Sequence, residues 1–136
     1  MPSPPSGTRW LPDPGIRQRR GASADRTGRQ AEALARDTLI RDGWTILAER
    51  LRTPSGELDL IAEKAGLLAF IEVKARPSLQ AAAYALTPRQ QTRLMGAAEF
   101  WLAGHPGHGA AGMRFDVLLV AADGTVRRIT DALRQG

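Results

Sequence analysis

The stretch Gly56–Arg76, GELDLIAEKAGLLAFIEVKAR, constrains this chain more than any other because it sets acids and a lysine inside apolar, strand-like runs. Gly56 to Ile61 alternates with period two, and Leu68 to Lys74 is an apolar run interrupted by Glu72 and Lys74 on one side. The short Glu63-Lys64-Ala65-Gly66 connection predicts a hairpin. With the turn centred between Ala65 and Gly66, paired residue numbers share one sum. Asp59 then stands opposite Glu72 and Glu57 opposite Lys74, all four on one face. Cross-strand neighbours are about 5 Å apart at Cβ, so the two carboxylates can hold one hard cation between them. Unpaired, they would repel and stay partly protonated; a metal ion or the adjacent lysine removes the conflict.

The rest of the chain reads as a frame for that hairpin. Residues 1–25 carry Pro2, Pro4, Pro5, Pro12 and Pro14 and predict a disordered Pro/Arg-rich tail. Its Arg17-Gln18-Arg19-Arg20 cluster suits either a solvated leader or an arm on a phosphate backbone. Residues 26–136 are expected to form one domain, as the chain of 136 residues allows. A helix is expected from a Thr27 cap to Gly43, with Ala31, Leu34, Ala35, Thr38 and Leu39 on one stripe and Glu32 at its margin. Trp44–Arg52 predicts a first strand with Arg50 and Arg52 on a common face. It completes a three-strand meander.

Thr87-Pro88-Arg89-Gln90 predicts the start of a second helix running to about Ala103, buried through Leu94, Ala97, Ala98, Trp101 and Leu102. Gln90, beside Arg93, serves either the capping box or a substrate phosphate. His105 and His108 fall in a Gly/Pro loop, which reads as surface rather than as a metal pair. Met113–Val120 and Val126–Thr130 predict the last two strands around an Asp123-Gly124 turn, with Asp116 as a brace for a basic neighbour or a strand end.

The formal net charge of +5, from 19 Lys+Arg against 14 Asp+Glu, is compatible with a polyanionic partner such as nucleic acid. There is no cysteine, which excludes disulfides and thiolate metal sites. No apolar run approaches the roughly 20 residues of a membrane span, and the N-terminus has no secretory h-region. A cytoplasmic protein without membrane partners is expected. Mg²⁺ accepts one or two carboxylates beside waters and a phosphate, so Asp59, Glu72 and the Val73 carbonyl can ligate it. Lys74, on the same face, can orient the attacking water and stabilise charge developing on phosphorus. A salt-bridge cluster without metal fits the same residues.

The segments GELDLIAE and FIEVKAR, the upstream helix with Glu32, and the later TPRQQTRLMGAAEFWL and RFDVLLV resemble the YraN family of uncharacterised bacterial proteins, from about Gly28 to the end. That family is similar to Holliday-junction resolvases and other PD-(D/E)xK nucleases. The resemblance implies an α/β restriction-endonuclease-like core: a mixed five-stranded sheet, three strands in an antiparallel meander plus two more, flanked by helices. It implies Asp59 and Glu72 as ligands of Mg²⁺ or Mn²⁺, Lys74 as the catalytic lysine and Glu32 as an additional acid. Glu57, Arg76, Gln90 and Arg93 are the flanking candidates for contact with nucleic acid. The expected activity is endonucleolytic hydrolysis of structured or branched DNA, with a homodimer inferred from the resolvases. The alternative is a non-catalytic nucleic-acid-binding module on the same fold.

Overall fold

A computed structural model describes residues 14–79 and 86–135. Its elements are helix α1 (Pro14–Arg41), strands β1 (Thr45–Thr53), β2 (Gly56–Lys64) and β3 (Leu67–Arg76), helix α2 (Pro88–Gly104), strands β4 (Gly112–Ala121) and β5 (Val126–Ile129), and a 3-10 turn at Ala132–Gln135. One five-stranded sheet runs in the order β1-β2-β3-β4-β5. The first three strands are antiparallel neighbours, β3 and β4 are parallel, and β5 returns antiparallel to β4. A parallel pair needs a crossover connection, and α2 lies on it.

The central strand β3 is buried at every position between its two end residues. It is covered on both faces, which is why its sequence is a near-continuous apolar run. Leu68 and Phe70 pack into a core with Leu94, Ala97, Ala98 and Trp101 of α2. Ala69, Ile71, Val73 and Ala75 pack into a second core with Ala31, Ala35 and Leu39 of α1. Glu72 and Lys74 continue the Leu68–Phe70 line by period two.

The register between β2 and β3 is the expected one, from Lys64↔Leu67 through Leu60↔Ile71. The turn is tighter than the predicted four residues. Glu63 and Lys64 belong to the strand, and Ala65 and Gly66 make the corner with φ of 51° and 80°, the pair of positive values that a two-residue hairpin of type I′ requires.

Helix α1 begins at Pro14, well before the expected Thr27 cap and within the stretch read as a tail. Residues 1–13 lie outside the described residues. Its far end is as expected: Gly43 has φ 93°, its N–H bonds the Ile40 carbonyl, and the Trp44 N–H bonds the Leu39 carbonyl. That is a Schellman ending, closed by the apolar pair Leu39 and Trp44. Leu34, expected on the buried stripe, is exposed; the covered row is Gly28, Ala31, Ala35 and Leu39. Helix α2 carries the predicted capping box between Thr87 and Gln90. No helix among the described residues is long and apolar enough to cross a membrane.

Candidate functional site: an acidic cleft where two strands part

The β2–β3 ladder stops at Leu60↔Ile71, immediately before the acids. Beyond that point Asp59 takes over the role of the missing strand partner: its Oδ2 accepts a hydrogen bond from the Val73 N–H at 2.7 Å. On its other side β2 stays paired with β1 in one register from Glu49↔Leu60 to Leu51↔Leu58, and between those two pairs Arg50 adopts φ 53°. A cleft of about 280 Å³ opens there. It is lined by Glu32 of α1, Arg50 of β1, Glu57 and Asp59 of β2, Glu72, Val73 and Lys74 of β3, and Arg93 of α2, with Gly28, Ala31 and Ala75 at its walls.

Glu72 and Lys74 are almost wholly buried, at 3% and 5% exposure. Buried charges persist only when paired, and Glu72 is paired twice. Its Oε2 meets Lys74 Nζ at 3.0 Å and its Oε1 meets Arg93 Nη2 at 2.8 Å. The Arg93 stem runs across Gly56, where a Cβ would stand 2.6 Å from Cγ and 2.7 Å from Cδ. Glu32 is held by Arg50 at 3.2 Å.

The negative charge is nonetheless in excess. Burial, then the charge of Glu72, push the Asp59 carboxyl up to about 7; the Val73 hydrogen bond and Lys74 only partly oppose them. Glu32 is raised as well, by burial first, with Glu57 and Glu49 adding to it against Arg50. Both values are raised by burial first and by neighbouring carboxylates second, and perturbed acids in a cleft mark it as a candidate functional site. Oxygen donors of this kind suit a hard cation. Among the described residues, however, no three His, Asp or Glu side chains are gathered into a ready-made cage. The donor set fits Mg²⁺ or Mn²⁺ in charge and chemistry, and Glu72 can offer an oxygen once one of its two cationic partners yields.

The candidates named from sequence divide clearly. Asp59, Glu72, Lys74, Val73, Glu32, Glu57 and Arg93 all line the cleft. Gln90 does not: its Oε1 accepts from the Thr87 N–H at 2.8 Å, committing the side chain to the cap. Arg76 also lies outside the lining, and one of its bonds goes to the neighbouring Ala75 carbonyl at 2.8 Å. Arg50 was missed as a site residue. Expected to share a face with Arg52, it turns into the cleft through its inverted φ, whereas the Arg52 side chain is 91% exposed. The histidine loop is tied down away from the cleft, with His105 Nδ1 on the Trp101 carbonyl and His108 Nδ1 on Glu63, both at 2.8 Å. Asp116 braces Arg114 through two bonds of 2.9 Å.

A mixed five-stranded sheet between two helices, with paired acids and a lysine where two central strands part, defines an α/β protein with a restriction-endonuclease-like core. The model of the uncharacterised protein family UPF0102 matches residues 31–120. The chain belongs to that family, the YraN-like proteins. It is 56% identical over 115 residues to a UPF0102 protein of Granulibacter bethesdensis, covering 85% of this chain and 73% of the relative. A Bradyrhizobium relative is 56% identical over 110 residues, covering 81% and 78% of the two chains. One from Bradyrhizobium diazoefficiens is 47% identical over 120 residues, covering 88% and 90%.

Proposed function

We propose that the chain is a Mg²⁺- or Mn²⁺-dependent endonuclease that hydrolyses phosphodiester bonds in structured or branched DNA in the cytoplasm. The supporting observation is that Asp59, Glu72 and Lys74 line one cleft, with the Asp59 carboxyl held up to about 7 by burial and by Glu72. Asp59 and Glu72 would hold the cation, with Glu32 and the Val73 carbonyl as further oxygens. The bound ion supplies charge stabilisation on the phosphate and acidifies a water. Lys74 fixes the Glu72 carboxylate through its 3.0 Å contact and sets a positive charge beside the place where charge develops on phosphorus. Arg50 and Arg93 put two more cations at the cleft for the DNA backbone.

The test is metal-dependent cleavage of labelled four-way junctions, flaps, duplexes and single strands. Expected is cleavage with Mg²⁺ or Mn²⁺ that falls by at least about a hundredfold in Asp59→Ala and Lys74→Ala. No cleavage of any substrate, or cleavage that survives both substitutions, removes the reading. A second reading, a nucleic-acid-binding module without catalysis, draws on one observation: both oxygens of Glu72 are already engaged by cations. It predicts binding of the same substrates with no cleavage in any metal. Paired cuts in the two strands of a junction would support a homodimer with two-fold symmetry.

A further inference from the structure

We infer that Arg93 is a displaceable counterion: it and a divalent cation compete for Oε1 of Glu72, and the displaced guanidinium becomes a phosphate contact of the site. This rests on the metal-dependent reading above and adds a coupling to it. Glu72 has two oxygens, each facing a cationic nitrogen. A hard cation bound to that carboxylate would stand beside a fixed positive charge in a poorly solvated place, where like charges repel strongly. One partner must move. Lys74 sits on the central strand with its side chain only 6% exposed. Arg93 reaches in from a surface helix, with its side chain 34% exposed, and can swing outward.

The seat that Arg93 occupies is also incomplete. Its Nη2 bonds Glu72, but its Nε is buried with no hydrogen-bond partner among the described residues. A buried donor left unsatisfied is unfavourable. A phosphate engages Nε and Nη in parallel, so the guanidinium gains by the exchange. Gly56 gives the aliphatic stem a bare stretch of backbone to lie on, with Cγ and Cδ closer than a Cβ would allow. The stem can therefore stay in its track while the head changes partner. Metal and nucleic acid would accordingly bind in a linked fashion: the ion releases Arg93, and the released Arg93 favours the phosphate.

The experiment titrates the full chain with Mn²⁺ in the absence of nucleic acid, by calorimetry and by Mn²⁺ electron paramagnetic resonance. Arg93→Met, which keeps an apolar stem, should bind Mn²⁺ at least about tenfold more tightly than the wild type, the equivalent of one lost charge-assisted contact. The gain should vanish in the Glu72→Gln, Arg93→Met double variant. In Ca²⁺, a fluorescent four-way junction should bind Arg93→Met about tenfold more weakly than the wild type. Arg93→Lys, with a shorter reach and no fork, should fall between them and carries the comparison if the Met variant does not unfold cooperatively. Equal or weaker Mn²⁺ binding by the Arg93 variants, or unchanged junction binding in Ca²⁺, overturns the inference. Tighter Mn²⁺ binding without cleavage by the wild type would keep the displacement and remove the nuclease reading; cleavage with equal Mn²⁺ affinities would do the reverse.

Discussion

Asp59 is the residue on which the cleft's electrostatics turn, because it does two jobs that conflict. Its Oδ2 satisfies the Val73 N–H that the parting strands leave behind, while burial and Glu72 oppose its charge and raise it to about 7. The folded chain thus binds this proton more tightly than the unfolded chain, whose value is near 3.8. Stability contributed by the proton is present at acid pH and lost as pH rises through the folded value. Asp59→Asn keeps an oxygen for Val73 and drops the charge. In EDTA it is expected to match the wild type at about pH 4 and to exceed it at about pH 8, by up to about 4 kcal/mol. Urea unfolding at the two pH values reads this, and a variant less stable at the higher pH refutes it. Lys74→Met acts in the opposite direction. It leaves buried Glu72 with Arg93 alone and should cost about 3 kcal/mol in the same measurement.

At the scale of elements, α2 is the part that brings Arg93 to the acids, and its beginning is fixed by a local code. Thr87 Oγ1 accepts from the Gln90 N–H at 3.1 Å and the Gln90 side chain answers to the Thr87 N–H at 2.8 Å. Thr87→Ala should lower stability by about 1 kcal/mol without changing which residues line the cleft, a result to be read by thermal melting beside metal binding. That box was legible because capping depends on residues three apart. The same logic assigned Gln90 two roles, and the structure fills the local one. The start of α1 was less legible. All five early prolines lie at or before Pro14, the first helical residue, where proline is tolerated. Composition averaged over the stretch hid that boundary.

At the scale of the whole molecule, the site is assembled from α1, β1, β2, β3 and α2, and the share of it legible in the sequence follows the range of each interaction. The hairpin register comes from period-two patterning and a two-residue corner, and the structure keeps it from Lys64↔Leu67 to Leu60↔Ile71, one step short of the expected Asp59–Glu72 and Glu57–Lys74 pairs, though Glu72 still raises Asp59 through its charge. What patterning could not show was that the ladder ends at Leu60↔Ile71. That parting coincides with a positive φ at Arg50, and arginine carries no local propensity for such a backbone. The inward turn of Arg50 was hidden for the same reason. Charge at this scale leads to a further expectation. The chain as a whole is positive, at +5, yet its cleft collects Glu32, Glu57, Asp59 and Glu72. If a nucleic-acid backbone lies across that cleft, then without metal the acids repel it and the surrounding cations attract it. Binding of a four-way junction in EDTA should weaken steeply with salt through counterion release. At about pH 8.5, above the Asp59 value of about 7, Asp59→Asn should tighten it several-fold, since a unit charge about 4 Å away is worth about 1 kcal/mol even at the dielectric constant of water. Fluorescence anisotropy across a salt series measures both effects. Unchanged affinity in Asp59→Asn would place the nucleic acid on another surface of the molecule, because a phosphate seated in this cleft would feel the removal of that charge.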